Sequence, residues 1–283
     1  MLVYDKIGDR SFTKYIRFIH ENTGITIPEN RRSMLISRIR KRLRKLRIPN
    51  YRSYLTLIKN SKEEKRFFIN LITTNETYFY RTPRIWRYIE DEFLPKQAAT
   101  SSKVINIWSA AASTGEEAHT LGVLCQNFKD NNVNFRYKIM GSDISTSVIE
   151  KATEGKYLGR SIQRFKEARW PLFQKYMIGN ETIGYQVLPQ IKNNIHFTVH
   201  NLFHGLTENQ KFDLILLRNV LIYFSKVDKE EVLKNLHRKL NPGGNLIIGE
   251  SESLNSLHSN FESVAPLIYR LKDGSRTSES IEV

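Results

Sequence analysis

The stretch Val104-Ile-Asn-Ile-Trp-Ser-Ala-Ala-Ala-Ser-Thr-Gly-Glu-Glu-Ala-His119 restricts the fold more than any other part of the chain. A short β-rich run, Val104 to Trp108, passes through small residues from Ser109 to Ser113 into Thr114-Gly115-Glu116-Glu117, then into a helical pattern carried by Leu121, Leu124, Cys125 and Phe128. Strand, tight turn and helix in that order open an α/β sheet, and the turn falls at the carboxyl end of a parallel strand, where such sheets hold ligands. Small side chains there let a ligand lie against backbone. The turn has one glycine, Gly115, where a dinucleotide turn needs three to admit a pyrophosphate, so a nucleoside without phosphates fits better. A second reading is local: Thr114 and Glu117 form a capping box and the alanines pack the turn.

The segments that follow repeat the α/β rhythm. Phe135 to Asp143 reads as a strand ending in an acid, and Ser145 starts a helix through Val148, Ile149 and Ala152. A carboxylate at the end of the second strand can accept both hydrogen bonds of a ribose diol, which makes Asp143 a candidate ligand; as an early N-cap it would serve only its own turn. Leu214 to Leu217 is a buried strand whose end presents Arg218, Asn219 and Tyr223 to the same crevice. A helix from Asp228 to Leu240 stops at Asn241-Pro-Gly-Gly244, Asn245 to Gly249 forms the next strand, and Phe261 to Leu271 reads as an antiparallel edge hairpin. Residues 155–200 break the rhythm. Tyr185 to Ile191 and Ile195 to Val199 suggest short antiparallel strands, hence a small β-rich insertion at about 160–200, a natural docking surface. His196, His200 and His204 do not make a metal site, because four residues of extended chain span roughly 13 Å.

Before the first strand, residues 11–94 read as helix after helix, so a helical N-terminal domain is expected over 1–94, an α/β domain over 95–272 and a polar tail over 273–283. Within the first, Arg31 to Arg47 carries nine basic residues and no acid. Leu35, Ile39, Leu43 and Leu46 recur at helical spacing, which turns one stripe inward and crowds Arg38, Arg40, Lys41, Arg42, Arg44, Lys45 and Arg47 elsewhere on the helix. Such crowding is either a solvated face or a partner surface. Pro49 ends this helix and Tyr51 to Asn60 forms another. Thr73-Thr-Asn-Glu-Thr-Tyr-Phe-Tyr-Arg81 reads as a polar pocket wall or as a hinge before a capped helix with Trp86, Ile89 and Phe93, and Lys96 to Lys103 as a linker. A net charge of +15 implies an acidic partner. No leader or membrane span is evident, which places the chain in the cytosol, and the single cysteine, Cys125, falls at a core position.

Taken together, Asn75-x-Thr77-x-x-x-Arg81, Trp108 to Glu117, Ser142-Asp143-Ile144, Arg218-Asn219-Val-Leu-Ile-Tyr223-Phe224, Asn241-Pro-Gly-Gly244 and Ser251-Glu252-Ser253 resemble the CheR-type chemotaxis receptor methyltransferases. The resemblance implies an α/β fold: a small all-helical N-terminal domain, then a Rossmann-like class I methyltransferase domain with an inserted small β-subdomain. It also implies S-adenosylmethionine as cofactor, S-adenosylhomocysteine as product, and glutamate side chains of chemoreceptors as acceptors. Carried over by position, it assigns Asn75, Thr77, Arg81, Glu117, Asp143, Asn201, Leu202, Arg218 and Asn219 to the cofactor and sets Arg81 and Tyr223 beside the transferring methyl. The basic helix would dock the acidic methylation helices of receptors, and the β-subdomain a receptor C-terminal tail. Ala118-His119 departs from the family's usual Pro-Tyr. Two other classes share these features. A nucleic-acid methyltransferase would also be basic, although its usual proline-and-aromatic motif is replaced here by Arg218-Asn219-Val220; a sensor that keeps the cofactor fold would lack turnover.

Overall fold

The computed structural model describes residues 7–100, 103–207 and 209–272, so the polar tail expected at 273–283 lies outside the described residues. The chain opens with four helices, α1 (Asp9–Thr23), α2 (Arg32–Leu46), α3 (Tyr51–Asn60) and α4 (Lys62–Ile72). Each start has a local cause where the sequence supplies one: the Asn50 side chain accepts from Ser53 N, and Ser61 Oγ accepts from Glu64 N. Tyr15, Phe18, Leu35, Ile39, Leu43, Tyr54 and Phe68 close a core of their own among these helices.

The basic helix is less free than its sequence suggests. Arg42 turns inward to a bidentate pair with Glu64, whose second partner is the Tyr54 hydroxyl; the two charged side chains are 13% and 8% exposed. Arg38 donates to the carbonyls of Leu71 and Thr73, and Arg40 to the Tyr51 hydroxyl. Lys41, Arg44, Lys45 and Arg47 remain exposed, so the outward charge is concentrated in the last turns of α2. Burial raises the Glu64 carboxyl pKa, but the bonds from Arg42 and Tyr54 outweigh it and leave it below its ordinary value. Its contribution to stability is therefore complete above the unfolded carboxylate range and is lost as pH falls through the lowered folded value. Removing one member of this buried pair strands the other, so Arg42→Ala is expected to cost about 3 kcal/mol in urea denaturation, while Lys45→Ala should cost less than about 0.5 kcal/mol. Equal effects would show that the pair is not structural.

The next helical run consists of α5 (Pro83–Tyr88), a π-helical turn (Ile89–Phe93) and α6 (Leu94–Thr100). It occupies part of the expected linker, and its side chains Trp86, Ile89, Phe93 and Leu94 pack into the sheet's core rather than with α1 to α4. The self-packing helical layer thus ends at Ile72, earlier than the expected boundary at 94, because this helix's apolar face has sheet to cover.

Seven strands form one sheet in the order β5-β2-β1-β6-β7-β9-β8. They are β1 (Ile105–Ser109), β2 (Tyr137–Asp143), β5 (Ile195–Val199), β6 (Phe212–Leu217), β7 (Leu240–Ile248), β8 (Phe261–Ala265) and β9 (Ile268–Leu271), and β3 (Met177–Asn180) pairs with β4 (Gly184–Val187) in a separate hairpin. All neighbours from β5 to β7 are parallel, and β9 is antiparallel to both β7 and β8. The crossing helices are α7 (Glu116–Asn131), α8 (Thr146–Glu154), α9 (Arg160–Ala168), α10 (Trp170–Tyr176), α11 (Pro189–Lys192) and α12 (Lys226–His237). Alternation assigns Leu214 and Leu216 to one face with Leu121, Leu124 and Cys125 of α7, and Ile215 and Leu217 to the other with Val232, Leu233 and Leu236 of α12.

This is the expected Rossmann-like fold, with one correction. Ile195–Val199 does not belong to an antiparallel insertion; it pairs in parallel with β2 at the sheet edge. Its half-exposed pattern comes from that edge position, which local alternation cannot distinguish from a hairpin strand. The insertion proper is α9, α10 and the single hairpin β3–β4. Among the described residues, no helix is long and apolar enough to cross a membrane.

Candidate active site

The chain runs from β1 outward through β2 to β5, then returns to β6 beside β1, so the strand order reverses between β1 and β6. A cleft opens at that point over the carboxyl ends of the strands. It is open to solvent at its mouth, and its enclosed cavity volume is about 100 Å³. Asn75, Thr77, Arg81, Glu117, Asp143, Arg218, Asn219 and Tyr223 line it. An adjoining hollow, bounded by Asn201 and Leu202, shares Asp143, Val220 and Tyr223 with it.

Glu117 and Arg218 form a buried pair in the lining. Arg218 Nη1 donates to Glu117 Oε2 at 2.7 Å, and the side chains are 2% and 10% exposed. Glu117 Oε1 accepts from Ser109 Oγ, so the capping box of Thr114 with Glu117 does not form; Thr114 bonds Glu116 instead. Gly115 enters α7 in the left-handed region at φ 94°, and a side chain there would strike Ala152 and the Tyr157 hydroxyl, which explains the lone glycine of the turn. His119, one turn on, is fully buried against Tyr157 and the Gly115 carbonyl, and burial lowers its pKa to about 4, which keeps it neutral.

Asp143 works in two directions. One carboxylate oxygen accepts from Ser145 N and the other from Ser113 N, so it both shapes its own turn and ties the end of β2 to the turn after β1. Burial pushes its pKa up, and these backbone N–H groups offset part of the rise. Ser113 in turn donates to the Asn75 carbonyl, which fixes the Thr73–Tyr78 segment over the cleft.

Backbone strain gathers here. Among the described residues the non-glycine left-handed positions are Arg47, Tyr80, Thr82, Ser113, Asn219 and Leu267. Ser113 and Asn219 line the cleft, and Tyr80 and Thr82 flank Arg81. Such conformations cost about 1–3 kcal/mol each and persist only where surroundings enforce them. The Arg81 carbonyl is held by Trp86 Nε1 and Arg218 Nη2, each at 2.8 Å. Its guanidinium reaches the Glu76 carbonyl at 3.2 Å and lies over the Tyr78 ring. Asn219 is held by Glu252, a residue the sequence marked only as part of a motif: its buried carboxylate accepts from Gly249 N, Asn219 N, Val220 N and Leu221 N at 2.7–2.9 Å.

The helical layer supplies the remaining wall through Ile25, Ile27, Arg31, Met34 and Ile72, of which the sequence marked only Arg31, as the start of the basic run. It is joined to the sheet by Thr26 N to the Tyr223 carbonyl, by His20 to Asp228, and by Asn201 Nδ2 to the Asn22 carbonyl. The Asn201 amide oxygen accepts from Phe203 N, so this side chain is engaged in joining the two layers. Arg31 lies over the Tyr223 ring at 5.2 Å.

Residues 75–268 match the family model for the CheR methyltransferase S-adenosylmethionine-binding domain, and residues 10–73 match the CheR all-alpha domain. The chain belongs to the CheR methyltransferase family. It is 31% identical over 277 residues to a chemotaxis protein methyltransferase of Vibrio parahaemolyticus, covering 94% of this chain and 98% of that one. It is 30% identical over 268 residues to that of Escherichia coli K12, covering 94% and 92%, and 29% identical over 266 residues to that of Borreliella burgdorferi, covering 91% and 93%. As a member of the CheR family the chain is an S-adenosylmethionine-dependent methyltransferase. The chemistry of the cleft fits that cofactor: paired charges in Glu117 and Arg218, a carboxylate at the end of the second strand, and a buried Arg218 Nε–H without an acceptor among the described residues.

Proposed function

We propose that this enzyme esterifies glutamate side chains of chemoreceptors and so serves chemotactic adaptation at receptor clusters on the inner membrane face. The observation that carries the reading is the convergence of Asn75, Thr77, Arg81, Glu117, Asp143, Arg218, Asn219 and Tyr223, from separate segments, on one cleft at the switch point of the sheet. Relatives similar along nearly the whole chain bear the name chemotaxis protein methyltransferase. In this reading Asp143 takes the ribose hydroxyls, and the Glu117–Arg218 pair with Asn75, Thr77 and Asn219 holds the charged amino-acid end. The hollow beside Asn201, Leu202 and Val220 receives the base.

Few catalytic groups are needed. S-adenosylmethionine supplies an electrophilic methyl on a sulfonium. A glutamate with a pKa of about 4.3 is ionised at neutral pH and requires no general base. Arg81 orients that carboxylate, Tyr223 shapes the path to the methyl, and the apolar wall of Ile25, Ile27 and Met34 excludes water. The exposed Lys41, Arg44, Lys45 and Arg47 draw in the acidic methylation helices, while Arg38, Arg40 and Arg42 hold α2 in place. The β3–β4 hairpin, with Ile178 and Ile183 exposed, remains the place for a receptor C-terminal tail.

The test is methyl transfer to a chemoreceptor cytoplasmic fragment at rising salt. Between about 0.1 M and about 1 M the screening length falls from ~10 Å to ~3 Å, so KM for the fragment should rise severalfold with kcat little changed. Methylation indifferent to salt would rule out electrostatic docking.

A further inference from the structure

The insertion grips the segment that carries Arg81 residue by residue. Phe165 of α9 stacks on Phe79 and Tyr80 at 5.4 and 6.0 Å, and Arg169 makes a bidentate pair with Glu90 while reaching the Tyr80 hydroxyl. One residue before Phe165, Arg164 lays its guanidinium over the Tyr78 ring at 4.0 Å. Arg81 lies over the same ring at 5.6 Å. The two guanidinium carbons are therefore within two turns of a helical peptide, roughly 11 Å. Arg164 is exposed, and among the described residues neither guanidinium reaches a carboxylate.

Two cations held near one aromatic ring repel each other across this distance. An arriving anion relieves the repulsion. Tyr78 lines the cleft, so the pair stands at its rim, and Phe165 and Arg169 fix where Arg164 sits. We infer that Arg164 is a specificity-determining residue that receives a second carboxylate of the acidic substrate, one or two helical turns from the glutamate presented to Arg81. The inference rests on the glutamate-methylating reading above and deepens it: the substrate is held from both sides, by the end of α2 and by α9 of the insertion.

The experiment compares wild type, Arg164→Ala, Arg164→Lys and Arg164→Glu on a chemoreceptor cytoplasmic fragment at low and high salt, with S-adenosylhomocysteine affinity measured by calorimetry. Arg164→Ala is expected to raise KM about fivefold at low salt, to leave kcat within about twofold, and to lose most of its KM penalty at high salt. Arg164→Lys should restore most of the KM. Arg164→Glu should raise KM further and be rescued by fragments whose acids beside the methylated glutamate are changed to lysine. Unchanged KM in Arg164→Ala overturns the inference, as does an equal fall in kcat and cofactor affinity that lysine does not rescue, which would mark a packing role. If wild type itself does not methylate the fragment, the receptor reading fails first and this inference with it.

Discussion

Replacing Arg81 with alanine is expected to lower kcat on a receptor fragment about a hundredfold while S-adenosylhomocysteine affinity falls less than about tenfold. The separation follows from what each part of the residue does. Its carbonyl, held by Trp86 and Arg218, stays after truncation, so the strained Tyr80–Thr82 segment keeps its course. Among the described residues its guanidinium has a single hydrogen bond, at 3.2 Å, to the Glu76 carbonyl, so its loss leaves no buried charge stranded. What disappears is a cation lining the cleft, where the proposed acceptor carboxylate would align. Turnover within about twofold of wild type would remove Arg81 from the account.

The second large effect is expected at Glu252. One carboxylate closes the turn after β6 by accepting from Gly249, Asn219, Val220 and Leu221, and among the described residues no other acceptor is in place for those N–H groups. Charge-assisted bonds of this kind contribute about 1.5–3 kcal/mol each in favourable cases, and their effects overlap, so Glu252→Ala should lose about 3 kcal/mol in urea denaturation. The same change releases Asn219 from its left-handed conformation at φ 59° and frees the approach to Tyr223. Cofactor affinity should drop by tenfold or about that much, with Glu252→Gln in between because an amide offers one accepting oxygen rather than two. Normal stability and normal affinity in Glu252→Ala would show that the turn holds itself.

Much of this fold is visible in the sequence because its causes are local. The turn at Ser109–Gly115, the helix Tyr51–Asn60, which Asn50 caps, and the acid ending β2 all have causes within a few residues, and the structure has them in place. Features that depend on distant partners are not legible in the same way. Helical spacing from Leu35, Ile39 and Leu46 sets Arg42, unlike Lys41, on the inward stripe, but the carboxylate that receives it, Glu64, lies on another helix. The edge strand Ile195–Val199 has the pattern of a hairpin strand because one of its sides has no neighbour. Ile25, Ile27 and Met34 become cleft wall only when α1 and α2 dock on the sheet, and Glu252 becomes a clamp only when β7 lies beside β6. The motif residues line one cleft and its adjoining hollow, where Asn201 and Glu117 are already engaged with protein partners.

The most direct measurement is the fate of a labelled methyl group after transfer from S-adenosylmethionine to a chemoreceptor fragment. A glutamyl methyl ester should release the label as methanol in mild base, and replacing the accepting glutamates with alanine should abolish incorporation. Label that stays on the protein in base, or no transfer by an enzyme that still binds S-adenosylhomocysteine, would contradict carboxyl methylation of receptors.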